Sequence, residues 1–134
     1  MKSLNDNEVK EYLISKDPVL RNILDNFSTI QPTEILPDFI ILTRTIIGQQ
    51  LSGSAAKTIF ARLTDIVSEN YQPSDILRLS NKQTTSIGLS AAKSNYIKLI
   101  SEYIIKEPVF FQNLKLENSE KQIEILMNFK GVGI

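Results

Sequence analysis

The sequence predicts an all-α fold, a bundle of about eight mostly short helices, on three observations. Apolar residues recur at i, i+3, i+4 and i+7 through most of the chain. Helix-starting residues stand at the head of those runs. No segment alternates apolar and polar residues as a half-buried strand does. Taken in order, an opening helix within residues 1–16 centres on Val9, Tyr12 and Leu13. Asp17-Pro18 starts the second, with Asp as cap, Pro at the first helical position, and Leu20, Ile23, Leu24 and Phe27 as its stripe. Gln31 to Pro37 holds two prolines and reads as a linker.

Asp38 caps a third helix, whose stripe Phe39, Leu42, Thr43, Ile46, Ile47 and Gln50 is apolar until its end. Gly48 weakens that helix and Gly53 is expected to end it. The next starts at Ser52 or Ser54, buries Ala56, Ile59, Phe60, Leu63, Ile66 and Val67, and closes at Tyr71-Gln72-Pro73. Ser74 is expected to cap Asp75–Leu79, and Ser80-Asn81-Lys82-Gln83 is a capping box for a segment stopped by Gly88. Ser90 opens a long helix with inner residues Ala92, Tyr96, Leu99, Ile100, Tyr103 and Ile104, halted before Pro108. Ser119-Glu120-Lys121-Gln122 is a second capping box, leading a helix that turns Ile123, Leu126 and Met127 inward. One domain is expected, with residues 1–37 as N-terminal helices and linker and residues 38–134 as its main body.

Composition narrows the chemistry. With no Cys and no His, the chain lacks disulfides, thiolate metal sites, cysteine nucleophiles and histidine acid–base groups. No cofactor and no metal are expected. The 15 basic and 15 acidic residues cancel, which argues against a uniformly basic coat for nucleic acid. Their distribution is uneven: residues 1–40 carry a net −3, residues 41–106 a net +4, and residues 107–134 a net −1. A basic middle is consistent with a phosphate-facing surface or with ordinary scatter on a solvated one. No apolar run reaches the ~18 residues of a membrane span and no signal-peptide core is present, so a soluble, cytoplasmic protein is expected.

Two places break the local pattern. In Gly48-Gln49-Gln50-Leu51-Ser52-Gly53 two adjacent amides interrupt an apolar helix. Neighbouring side chains lie about 100° apart on a helix, so one amide must face the core side or a cleft. An amide there can hydrogen-bond a base edge or fill the gap left by a displaced base, or simply bond its own loop. In Lys130-Gly131-Val132-Gly133 the paired glycines permit a tight turn with outward N–H groups, a phosphate site if a helix follows and an ordinary helix stop if none does. Lys130 adds charge beside it.

The string Asp38-Phe39-Ile40-Ile41-Leu42-Thr43-Arg44-Thr45-Ile46-Ile47-Gly48-Gln49-Gln50-Leu51-Ser52 resembles the signature of helix-hairpin-helix DNA glycosylases, in particular the 3-methyladenine DNA glycosylase II (alkylbase) group. Three more landmarks fall in family order: Asp17-Pro18-Val19-Leu20, Gly88-Leu89-Ser90-Ala91-Ala92-Lys93, and Leu126 through Gly133. The resemblance implies base excision repair: damaged double-stranded DNA is bent, the lesion is flipped into a pocket, and the N-glycosidic bond of an alkylated purine such as 3-methyladenine is hydrolysed. It implies that Gln50 enters the vacated space, with Gln49, Leu51 and Ser52 around it. Gly131 and Gly133 then donate N–H groups to phosphates, with Val132 at the tip and Lys130 beside them.

In the family a catalytic Asp follows the hairpin, and no residue of this sequence stands at that distance, so no catalytic residue is assigned. The chain is therefore expected to be the N-terminal portion of such a domain, cut within the hairpin and without turnover of its own. Phe129, Val132 and Ile134 are then expected to leave an apolar surface that favours self-association. A non-enzymatic helical DNA-binding module, a protein-interaction domain, and a glycosylase for oxidised or mismatched bases are the alternatives.

Overall fold

The structure, a computed structural model, describes residues 6–26 and 38–133. Phe27, the predicted linker Gln31 to Pro37, and Ile134 lie outside the described residues. Nine helices and no strand are found among the described residues, so the all-α expectation holds with one helix more than read. The chain divides into two compact units, Met1–Ile35 and Leu36–Ile134.

The first unit pairs α1 (Asp6–Lys16) with α2 (Leu20–Asn26), tied by an ion pair of 3.0 Å between Lys10 and Asp25. Helix α2 starts at Leu20 rather than Pro18. Before it, the Asp17 side chain accepts from the Val19 N–H and the Asp17 carbonyl from the Leu20 N–H, a tight turn that spends the cap early. Val9, Tyr12 and Leu13 are exposed and Ile14 is the buried residue of α1; Ile23 is also exposed.

The second unit contains α3 (Phe39–Gly48), α4 (Gly53–Val67), α5 (Pro73–Arg78), α6 (Asn81–Ser86), α7 (Ala91–Lys106), α8 (Phe110–Lys115) and α9 (Ser119–Met127). The Asp38 carboxylate accepts from the Ile41 N–H at 2.8 Å, and the five predicted apolar-stripe residues of α3 are all buried. Gly53, expected as a stop, instead opens α4 behind the cap Ser52, whose Oγ accepts from the Ala55 N–H. Helix α4 stops at Val67, before the predicted Tyr71-Gln72-Pro73, and Ile66 is exposed. Gln72 rather than Ser74 caps α5, since Pro73 takes the first helical position and Asp75 accepts from the Gln72 N–H. Ser80 and Gln83 form the predicted capping box of α6. Asn118 rather than Ser119 caps α9, leaving Ile123 and Met127 exposed and Leu126 half-buried.

Helix α7 is the spine of this unit, packed against α3, α5 and α6. Its buried face is Ser94, Ile97, Ile100, Ser101 and Ile104, rotated from the predicted one, so Ala92, Leu99 and Tyr103 are exposed. Two serines face the core at low cost because they are small and the Ser101 hydroxyl donates to its own helix at the Ile97 carbonyl. Helix α8, which the sequence reading missed, buries Leu114.

Under α3 the buried Tyr71 hydroxyl and Thr43 Oγ1 share a hydrogen bond, and Thr43 Oγ1 also reaches the Phe39 and Ile40 carbonyls of its own helix. Burial lifts the Tyr71 phenol above its ordinary value, the Thr43 hydrogen bond opposes this, and the Asp38 carboxylate adds to it. A raised phenol makes stability complete below about pH 10 and lost progressively above it, because the unfolded chain gives up that proton first. We expect Tyr71→Phe to cost about 1 kcal/mol at neutral pH and to flatten the alkaline fall, read by urea unfolding from pH 8 to 11.

Candidate functional site

Helix α3 ends at Gly48, where helix is least favourable. Gln49 continues at φ −56°, ψ 135°, and Gln50 takes φ +59°. The Leu51 N–H donates to the Gly48 carbonyl at 3.2 Å, which makes Gly48–Leu51 a turn of type II geometry. The third position of that turn favours Gly or Asn, so a left-handed glutamine costs on the order of 1–2 kcal/mol. Gln50, Leu51 and Ser52 are exposed and Gln49 is half-buried, so the amide that the sequence singled out stands on the surface in a strained backbone.

The turn is held from a distance. The Leu51 N–H, which would have continued the helix to the Ile47 carbonyl, is spent on Gly48. Lys93, in the first turn of α7, donates from Nζ to the Ile47 carbonyl at 2.7 Å and to the Gln49 carbonyl at 2.6 Å. Sequence reading placed Lys93 in a landmark string without a role. No local signal could have revealed it, because donor and acceptors lie more than forty residues apart.

A second turn follows α9. The Phe129 N–H donates to the Leu126 carbonyl and the Val132 N–H to the Phe129 carbonyl, both at 3.1 Å, with Gly131 at φ +90°. A Cβ on Gly131 would lie 2.8 Å from Tyr96 Cγ and closer still to Cδ2, so only glycine fits. Lys130 and Gly133 are exposed, and Val132 is half-buried against the core. The N–H groups of Lys130, Gly131 and Gly133 have no partner among the described residues. Adjacent free backbone N–H groups, as at Lys130 and Gly131, suit an anion.

Lys93 and Tyr96 stand three residues apart on one face of α7. One face of one helix therefore seats both predicted site segments, Gln49–Ser52 through Lys93 and Lys130–Gly133 through Tyr96. Of the other tyrosines of this unit, Tyr71 is buried in the core and Tyr103 packs in an aromatic cluster with Phe110 and Phe129.

Residues 43–131 match the HhH-GPD superfamily of base excision DNA repair proteins, a span that runs from the buried Thr43 of α3 to Gly131. The chain belongs to the HhH-GPD superfamily. It is similar to a DNA-3-methyladenine glycosylase of Saccharomyces cerevisiae, 31% identical over 139 residues, covering 92% of this chain and 47% of that protein. Among solved structures it resembles a DNA-3-methyladenine glycosidase from Bacillus halodurans, with TM-score 0.71 and 28% identity over 90% of this chain and 56% of that one. The fold is also that of a 3-methyladenine DNA glycosylase of Schizosaccharomyces pombe, solved in complex with abasic DNA (TM-score 0.71, 24% identity, 84% of this chain and 58% of that one). The chain spans about half the length of these relatives.

Proposed function

We propose that this HhH-GPD chain supplies the DNA-gripping and base-flipping part of a glycosylase that hydrolyses the N-glycosidic bond of alkylated purines such as 3-methyladenine. The observation that carries the proposal is the seating of both turns on one face of α7. An exposed left-handed Gln50 and, on a turn seated on the same helix, unpartnered N–H groups at Gly131 and Gly133 match what flipping needs: one group to occupy the gap, others to hold phosphate. The relatives named 3-methyladenine glycosylase support the alkylbase branch over the oxidised-base alternative.

In this reading Gln50 enters the stack when the damaged nucleotide leaves it. Its amide can donate to and accept from the orphaned opposite base, which an apolar wedge cannot. Gln49, Leu51 and Ser52 shape the turn behind it. The N–H groups at Gly131 and Gly133 take phosphate oxygens, and Lys130 adds attraction that salt weakens. A duplex carrying 2-aminopurine tests this. Fluorescence is expected to rise as the wild-type chain unstacks the base and to stay flat with Gln50→Ala. A flat wild-type response, or an equal rise with Gln50→Ala, contradicts the reading.

Self-association is the second part of the proposal. Leu99, Tyr103, Phe110 and Phe129 line an open groove of ≈ 500 Å³, with Leu99 and Tyr103 each more than 40% exposed. We assign this groove, rather than the predicted Val132, to contact with a second copy. Sedimentation velocity is expected to show a concentration-dependent dimer that Leu99→Glu abolishes; a monomer at every concentration contradicts it.

A further inference from the structure

We propose that Lys93 is the positioning residue that sets Gln50, by pinning the Gln49–Gln50 peptide in its flipped orientation. Type I and type II turns share their end residues and differ by a half-turn of the central peptide plane. In the turn Gly48–Leu51 that plane is the Gln49–Gln50 peptide, and its oxygen is the Gln49 carbonyl held by Lys93 Nζ at 2.6 Å. The same ammonium holds the Ile47 carbonyl at 2.7 Å, so the grip is anchored on the end of α3. Gln49 at ψ 135° and Gln50 at φ +59° have the type II values. A type I turn would return Gln50 to negative φ, relieve its strain, and send its side chain in a different direction.

Glutamine brings none of the usual reasons for a left-handed third position: it is neither glycine nor a residue that bonds its own backbone. The turn's own hydrogen bond, Leu51 to Gly48, is compatible with either turn type. Of the contacts on this turn, the Lys93 bond to Gln49 reports directly on the central peptide. The helix C-terminus adds to the grip, since a cation there meets the negative end of the α3 dipole and two carbonyls without helical partners. Lys93 is held in turn by the start of α7, where the Ser90 hydroxyl accepts from the Lys93 backbone N–H at 3.2 Å. The inference rests on the reading of Gln50 as gap-filler only for its consequence in DNA binding, not for the conformation itself.

The test is the isotopically labelled 134-residue chain, read by nuclear Overhauser effects. In the wild type the Gln49 Hα is expected close to the Gln50 amide proton, as type II requires. In Lys93→Met, which keeps the stem and removes the donors, that signal is expected to give way to a strong Gln49–Gln50 amide–amide one. Lys93→Arg, which keeps donors, is expected to restore the wild-type pattern. Lys93→Gln, one bond short of either carbonyl, makes the same prediction as Met should Lys93→Met fail to fold. A type II pattern that persists in Met or Gln overturns the proposal. Affinity for an abasic duplex separates it from the function reading: Gln50→Ala is expected to cost about tenfold with Lys93 present and almost nothing in Lys93→Met. If Gln50→Ala costs nothing in either background while the signals still switch, the gap-filling role fails and the role of Lys93 stands.

Discussion

Replacing Gly131 with alanine is expected to destabilise the second unit by about 2–4 kcal/mol, by left-handed strain and overpacking together. The two causes are separable. The added Cβ meets the Tyr96 ring, with Cγ at 2.8 Å, and the ring belongs to a half-buried residue on the spine helix that cannot swing clear without unpacking. The backbone itself stands at φ +90°, where an L side chain is strained in any surroundings. In a Tyr96→Ala background the steric share is expected to vanish and the conformational share to remain, so Gly131→Ala costs less there than in the wild-type chain. Urea unfolding of the four chains measures this, and a neutral Gly131→Ala would show that the turn is not seated on α7. Gly133 is the internal contrast: nothing lies near its Cβ position, and alanine there is expected to be close to neutral.

Leu63→Ala is the second large effect, expected at about 2–5 kcal/mol. Leu63 is fully buried at the middle of α4, and α4 packs on α3, the helix that ends in the Gln50 turn. The loss is one of packing, so it is expected to show equally at low and high salt. Thermal unfolding at both salt concentrations measures it. A cost under 1 kcal/mol would mean that α4 is not part of the core carrying the turn.

Much of this arrangement was legible in the residues. The five buried side chains of α3 follow directly from helical spacing, and Asp38, Ser80 and Ser90 mark starts that the structure keeps. The candidate segments stand out in the sequence for a different reason: two amides in an apolar helix and a Gly-x-Gly after a capped one break the pattern around them. What remained hidden is tertiary. The face of α7 was misread because serines occupy its core positions, and a hydroxyl that bonds its own helix leaves no trace in an apolar stripe. Helix α8 escaped because Val109 offers no side-chain cap and Pro108 reads as a stop. Glycine commonly follows a helix and so marks Gly53 as an end, yet Ser52 before it supplies a cap and Gly53 opens α4. The type of the Gln50 turn depends on Lys93, far along the chain, and no window around Gln50 contains that information.

The central claim, that Gln50 is held out to occupy the space of a displaced base, is tested most directly by one binding comparison. Fluorescence anisotropy at fixed salt would compare the wild-type chain and Gln50→Ala on a duplex with one abasic site and on the same duplex intact. The account predicts tighter binding of the wild type to the abasic duplex, with Gln50→Ala losing about tenfold there and almost nothing on intact DNA. Equal affinity of the wild type for both duplexes, or a Gln50→Ala loss of the same size on each, would contradict it.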